Sequence, residues 1–490
     1  MLLPSSLCAQ TILPVVTMDV GLTASDNGAL SAAGNEKSEF ISSIRPRVVL
    51  GRRGAGFEFD LDAAATVLTF ANGTQDNDVL PDVRARLKAA VVERLLYIGA
   101  AAHVRQSEID PFGSRSGDTT GANRRTESTY ELSPAIEREL TPHSSLLARH
   151  DVALTTNGAG EGSRLTSQRS LIRLERAPVP LGAAVEVSRL ENELEDFGES
   201  RFTLETARLR GSVQVDDQLI LGLVVGKDRS EFLLSEHTDS LYGASVQWRP
   251  GPRTELSATL ERRFFGNAGA LGLRHRLPFM SFALTMKRQP VTASSSLGTL
   301  GQGSDLRGFL DAILTTRYPD PTVRDGLVDT LVTNRNLDTR LRNAIDVVAE
   351  YPQLETGVDV TWVLLGTRNT ASVTFYSRTA RVLTREGDPL SSLIGAAADD
   401  RQRGGFLQFT RRLTPQLSAG LSAQWSKIEG LAEREGDVSD EKVYRLSLTK
   451  NVSPRTAYSA GVQRNRFDST VNGVRSYDAT LLSVGVSHRF

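Results

Sequence analysis

The sequence predicts an all-β chain: a transmembrane, antiparallel, up-and-down β-barrel with an even strand number, roughly 22 (16 to 22 fit the pattern), and one helical loop insertion. Three observations carry this reading. Apolar–polar alternation recurs along almost all of the 490 residues. No stretch approaches the roughly 20 consecutive apolar residues of a membrane helix. The connections between alternating segments fall into two length classes that take turns along the chain. A barrel wall needs only one apolar face per strand, so 39% hydrophobic residues suffice for it, while being thin for several conventional cores.

The alternation can be followed strand by strand. Phe57, Phe59, Leu61 and Ala63 oppose Glu58, Asp60 and Asp62. Tyr242, Ala244, Val246 and Trp248 oppose Gly243, Ser245 and Gln247, and Leu256, Ala258 and Leu260 oppose Ser257, Thr259 and Glu261. The same pattern returns at Val358–Leu364, Leu417–Ser426 and Tyr444–Thr449. A period of two places one set on each face of a sheet. In a membrane barrel the apolar set meets lipid and the small polar set lines the lumen. Val83–Val104 reads two ways. Val83, Ala85, Leu87 and Ala89 alternate with Arg84, Arg86 and Lys88, yet Val83, Leu87, Val91 and Leu95 also fall on a helical stripe. The strand reading is preferred because it keeps the strand number even.

Short turns rich in Pro and Gly include Gly51–Gly54, Thr141–Ser144, Ala177–Gly182, Arg249–Thr254, Arg276–Phe279, Arg412–Gln416 and Asn451–Thr456. Longer, charged connections include Ser25–Ser38, Asn72–Asp78, Ser107–Thr126, Ser230–Thr238, Glu386–Arg401 and Gly430–Glu441. Outer-membrane barrels have short periplasmic turns and longer outer loops, which places both termini on the periplasmic side. The barrel is expected over residues 16–490, with Met1–Ala9 as the remnant of an export signal. A lipid-modified Cys8 is the less favoured reading of that segment.

One stretch, 289–353, lacks alternation and reads as helical. Ser304 can cap a helix whose apolar face is Leu306, Phe309, Leu310, Ile313 and Leu314. Asp320-Pro321 can start a second, with Val323, Leu327 and Leu331 on its apolar side, because Pro suits a first helical turn. Leu337, Leu341, Ile345 and Val348 suggest a third. These stripes must be buried, and two placements are open: an extracellular cap or a constriction in the lumen. With only about fifteen residues before the first strand, no N-terminal plug is expected, and this insertion is the one candidate for a constriction.

The charge balance, 57 Lys and Arg against 58 Asp and Glu, gives no support for a nucleic-acid partner. One cysteine allows neither an internal disulfide nor a cysteine metal site. The six histidines show no paired metal spacing, so no metal site, cofactor or catalytic residue is expected. His237-Thr238-Asp239-Ser240 supplies hydrolase residue types, but no nucleophile motif accompanies it. The inward charges are more informative. Glu58, Asp60 and Asp62 form an acidic row beside the basic row Arg84, Arg86 and Lys88. Such rows can stabilise the wall as a cross-strand ladder or tune selectivity as a transverse field. Most other inward positions are Ser, Thr, Gln and Gly, a lining suited to water and sugars.

The last segment alternates Thr480, Leu482, Val484, Val486, His488 and Phe490 against Leu481, Ser483, Gly485, Ser487 and Arg489. A terminal Phe on such a strand resembles the C-termini of outer-membrane barrels, although His488 departs from the usual apolar residue. Leu482, Val484, Val486 and Phe490 are therefore read as an assembly signal, with the barrel assembly machinery and outer-membrane lipid as partners. Further segments carry a narrower resemblance: Gln247-Trp248-Arg249-Pro250, Pro252-Arg253-Thr254, Arg262-Arg263-Phe264-Phe265-Gly266, Arg274-His275-Arg276, Asp320-Pro321-Thr322-Val323-Arg324 and Glu127–Pro134. Their order resembles the outer-membrane proteins associated with the PEP-CTERM/exosortase system. The resemblance implies a Gram-negative outer membrane and a task linked to exopolysaccharide, with polysaccharide as partner. It brings no established activity and no functional residues. The expected function is a porin-like conduit for export of surface material. The alternative is a closed, anchoring barrel that displays its loops, and a barrel hydrolase comes third.

Overall fold

The computed structural model describes residues 14–54, 56–113, 123–158, 164–194, 200–232, 235–291, 306–335, 337, 352–383 and 399–490. Residues 1–9, expected to be the remnant of an export signal, Ser304 and most of the third helical stripe (Leu341, Ile345, Val348) lie outside the described residues.

Twenty-two strands form one closed antiparallel ring. In order they are β1 (Val15–Ser25), β2 (Glu39–Gly54), β3 (Phe57–Phe70), β4 (Asp78–Val92), β5 (Leu96–Glu108), β6 (Arg124–Thr141), β7 (Ser144–Asn157), β8 (Arg164–Arg176), β9 (Leu181–Leu194), β10 (Ser200–Gln214) and β11 (Leu219–Phe232). There follow β12 (Ser235–Gly251), β13 (Thr254–Arg263), β14 (Gly266–Leu277), β15 (Met280–Val291), β16 (Gln353–Leu365), β17 (Asn369–Val382), β18 (Asp400–Arg412), β19 (Leu417–Gly430), β20 (Val438–Asn451), β21 (Thr456–Ser469) and β22 (Tyr477–Arg489). Two helices, α1 (Leu306–Leu314) and α2 (Pro321–Arg335), interrupt the series between β15 and β16. The ring closes where β1 pairs with β22, from Thr17 opposite Arg489 to Ser25 opposite Leu481. Just beyond, the Phe490 N–H donates to the Val16 carbonyl at 3.0 Å. Closure pairs the polar groups that an open edge would leave facing hydrocarbon.

Val83–Val104 forms two strands, β4 and β5, with Val83 opposite Val104. The helical stripe there is incidental, because Arg84, Arg86 and Lys88 share the inner face with the polar rows of their neighbours. The stretch Ser230–Thr238 corrects the expectation of a long loop. Only 233–234 separate β11 from β12, and only Phe264–Phe265 separate β13 from β14. The physical reason is that these strands rise above the lipid layer, where both faces are polar. Lys227, Arg229 and Glu231 point outward and Asp228 and Ser230 inward, so the alternation of hydropathy vanishes while the pairing continues.

The outer wall carries the apolar set. Leu223 (70% exposed), Leu260 (63%), Tyr242 (61%) and Phe375 (58%) all face outward in one belt. Among the described residues, no helix is long and apolar enough to cross a membrane. Inside, small residues pair across strands: Gly222 with Ser245, Gly272 with Ser257, Gly420 with Ser447 and Gly461 with Ser483. Tyr376 and Phe375 lie against Gly404 and Gly405 on the inner and outer faces, where any Cβ would collide with the rings. These aromatics cover glycines that leave no side chain to pack, and they pin the register of β17 and β18.

Because the outward face is defined by lipid contact, Leu223→Arg should destabilise the folded barrel by about 2 kcal/mol or more. Gln424→Arg, on the inner face of β19, should change stability by much less. Urea titration of both variants in phospholipid vesicles measures this.

Candidate functional site

The lumen is the candidate site, and its wall is charged along one arc. Glu58, Asp60 and Asp62 on β3 stand directly opposite Lys88, Arg86 and Arg84 on β4. The strongest contact of this region runs to the other neighbour: Arg47 on β2 holds both carboxylate oxygens of Asp62 at 2.7 Å. Arg84 lies 3.9 Å from Asp82. Lys88 sits over the Tyr97 ring at 4.7 Å and 3.6 Å from Glu137. All are partly solvated, so each pair contributes about 0–1 kcal/mol. Acidic and basic rows on adjacent strands make a cross-strand charge ladder along this part of the wall.

Further round, Glu186 accepts from Arg173 at 2.8 Å and from Arg208 at 3.1 Å. Arg208 also reaches Glu261 at 3.2 Å, from β10 to β13. Glycines at 226 and 243 on the two intervening strands permit the close packing there, since a Cβ on either would collide with neighbouring backbone oxygen. Above this, Arg263 grips Asp228 at 2.7 and 2.8 Å, and Thr206 donates to the same carboxylate at 2.9 Å. Asp228 is 1% exposed and the Arg263 side chain 8%. Arg263 begins the Arg-Phe-Phe-Gly element. Phe264 and Phe265 are buried with Phe202, Leu204 and Leu383, so the β13–β14 tip is packed and closed.

The insertion lies against the lumenal face of the wall near its short-turn, periplasmic end. The buried face of α1 is Leu306, Phe309, Leu310, Ile313 and Leu314, a spacing of three and four residues that forms one helical stripe. It packs on Val363 and Leu365 of β16 and on Ala283 of β15. Val363 and Ala283 lie on the same face of their strands as the lumenal ion pair Lys287–Glu355, while Trp362 faces outward. Full burial of a side chain such as Leu310 or Ile313 is worth about 1.5–3 kcal/mol against exposure. The 14 residues between Val291 and Leu306 can span at most about 50 Å, more than the roughly 40 Å of a 12-residue strand, so the descent is sterically feasible.

The second helix begins at Pro321, as its sequence predicts, but its buried side is Val328 with Leu327, Leu331 and Val332. Val323 is exposed, which corrects the expected stripe. The reason is Arg324, which turns inward to Asp311 at 2.6 Å and to the Tyr318 and Pro319 carbonyls, locking the elbow between the helices. At the far end of α2, Arg335 is 6% exposed. It donates to the carbonyls of Gly366 (3.1 Å), Thr367 (2.9 Å) and Asn369 (3.3 Å) and to the Thr370 hydroxyl (2.7 Å). These belong to the β16–β17 turn, so Arg335 latches the insertion to the periplasmic rim. Burial, and Arg412 nearby, pull its pKa below the ordinary guanidinium value.

A second obstruction corrects the expectation that the insertion is the one constriction. The β5–β6 connection turns inward at Asp110, braced by Asn123 through two 2.8 Å hydrogen bonds. It crosses to the top of β20, where the Ser439 hydroxyl donates to the Phe112 carbonyl at 2.7 Å. Arg434 stacks over the Phe112 ring at 4.0 Å and lies 3.4 Å from Asp110. Phe112 is 1% exposed. The strap thus ties the outer ends of β5 and β20, seven strand positions apart round the ring.

The other expected residues are placed as follows. Leu482, Val484 and Val486 face outward on β22, and Phe490 is 66% exposed beside the seam. His237 and Ser240 lie on opposite faces of β12, so they do not form the pair a hydrolase would need. Among the described residues, no group of three or more His, Cys, Asp or Glu is arranged to hold a metal ion.

No protein-family model matches the chain, and no curated protein matches it. Solved structures do. The FrpB iron transporter from Neisseria meningitidis (F5-1 variant) superposes with a TM-score of 0.54 at 10% identity, over 97% of this chain and 82% of that one. Its apoprotein form gives 0.53 at 10% identity, over 97% and 81%. The F3-3 variant gives 0.52 at 9% identity, over 97% and 81%. At these identities the likeness is one of fold.

Removing one partner of the buried Arg263–Asp228 pair should be costly. Asp228→Ala leaves a buried guanidinium and should lose about 3–5 kcal/mol, and Asp228→Leu with Arg263→Met should recover most of it. Equilibrium urea unfolding of the two variants checks the order.

Proposed function

We propose that this outer-membrane β-barrel is a gated conduit, held shut in the structure by its own insertion. The observation that carries the reading is α1 and α2 packed on the lumenal face of β14–β18 and latched by Arg335. A barrel of this strand number leaves a wide lumen unless something fills it. The wall left uncovered is polar and small-residue-rich, as passage of a hydrated solute requires. The field between the β3 and β4 charge rows would orient or select what passes. Export of exopolysaccharide or other surface material is proposed as the task on the resemblance of the Arg262–Gly266 and Asp320–Arg324 segments to PEP-CTERM-associated proteins. That FrpB is an iron transporter supports solute passage through a barrel of this fold, and iron itself is not carried over.

A second reading, a closed barrel that anchors and displays its loops, is favoured by the strap at Phe112. With both ends braced, the resting state needs no open path.

Single-channel recording in planar bilayers separates them. The gated conduit predicts rare or small events in the intact protein and large steps in a variant lacking Ser304–Ala349. Arg335→Gln should raise the open fraction several-fold, because the latch loses its charge and most of its donors. Large steady steps in the intact protein would contradict gating. Silence in all three folded proteins would leave the anchoring reading.

A further inference from the structure

The periplasmic rim is divided by charge. Going round from β14 through the β22–β1 seam to β3, five successive connections have no Asp or Glu at or beside them, 271–281, 363–371, 409–419, 447–459, and 485–490 with 14–18, and in the sixth, 49–57, the first acid is Glu58, which faces the lumen. The same windows hold ten Lys and Arg. Each of the other five periplasmic turns has at least one acid at or beside it: Glu93, Glu139, Glu175, Asp216 and Glu255. With a net charge of -1 for the whole chain, this is segregation within a balanced protein.

The position of the basic groups identifies what they meet. Arg52, Arg411 and Lys450 are exposed on the outer, lipid-facing side of β2, β18 and β20. Arg52 stands opposite Phe59 of β3 and lies over the Phe57 ring at 5.7 Å. Lys450 stands opposite the exposed Tyr458. Arg368 and Arg455 are exposed at the tips of the β16–β17 and β20–β21 turns. The exposed apolar residues Leu413 and Val452 lie in the adjoining turns. Cations with apolar stems, set beside aromatic rings at the edge of a lipid belt, match the headgroup level of a bilayer. A soluble partner would not reach the outward three, because lipid adjoins them.

We propose that this arc is a binding surface for anionic phospholipid headgroups of the periplasmic leaflet. Several phosphodiesters would lie along it, each between neighbouring strand ends. The arc spans the β1–β22 seam and the turn that Arg335 latches, so bound lipid would brace both the closure of the ring and the anchor of the insertion.

The test uses the full chain in nanodiscs of mixed phosphatidylcholine and phosphatidylglycerol, with the lipid retained on the protein counted by native mass spectrometry. The wild type should retain phosphatidylglycerol over phosphatidylcholine by about fivefold or more, since each cation near an anionic surface is worth about that factor. R52Q/R368Q/R411Q/K450Q/R455Q, all surface changes, should lose the preference, and a gel shift on heating confirms that it folds. R401Q/R403Q/K427Q/K442Q/R466Q, near the opposite rim, should keep it. Raised salt should weaken it. Equal retention of the two lipids by the wild type would overturn the proposal. So would loss of the preference in the opposite-rim variant, or displacement of the lipid by inorganic phosphate as readily as by added phosphatidylglycerol.

Discussion

Closure of the hydrogen-bonded ring is the constraint on which the rest depends. Hydrocarbon offers no partner for a backbone N–H or carbonyl, so a sheet can lie in it only without edges. The seam between β1 and β22 removes the last two edges, with Gly21 opposite Gly485. Both chain ends then fall at one rim and the strand number must be even. With 22 strands the ring is too wide for wall side chains alone to fill. A wide lumen is therefore a consequence of closure, and its contents become the functional question.

The chain answers with two devices of different chemistry. At the periplasmic end the insertion is held by apolar burial, with Leu310 and Val363 fully enclosed, and by one guanidinium shared among four oxygens. At the outer end the strap is held by one hydroxyl, one ring contact and one ion pair. The first is the stronger, because its apolar area adds to its hydrogen bonds, whereas the partly solvated Arg434–Asp110 pair adds little. The two ends of the lumen are therefore braced with unequal strength.

The wall was legible in the sequence because each strand repeats a two-residue period. Phe57–Ala63, Tyr242–Trp248 and Thr480–Phe490 each declare a face without knowledge of their neighbours. Parity also removed the His237–Ser240 pair, since three residues along a strand place them on opposite faces. Legibility failed where period and environment part company. At Ser230–Thr238 the strands leave lipid, both faces turn polar, and the pattern imitates a loop. It failed also where function is built from contacts between distant segments. Ser439 and Phe112 are 327 residues apart and Arg335 and Thr370 are 35 apart, and no local period connects either pair. The helical stripe of α1 was readable, but its burial partner, Val363, looked like any other strand residue.

The most direct test concerns where α1 rests. Ile313→Cys with Val363→Cys, in a Cys8→Ser background, joins two residues of one buried cluster. Mild oxidation in intact outer membranes should link them within one chain, seen as altered mobility on a non-reducing gel, and Ile313→Cys with an outward Trp362→Cys should not link. Linking of the second pair, or failure of the first in folded barrels, would place the insertion outside the lumen and contradict a conduit closed from within.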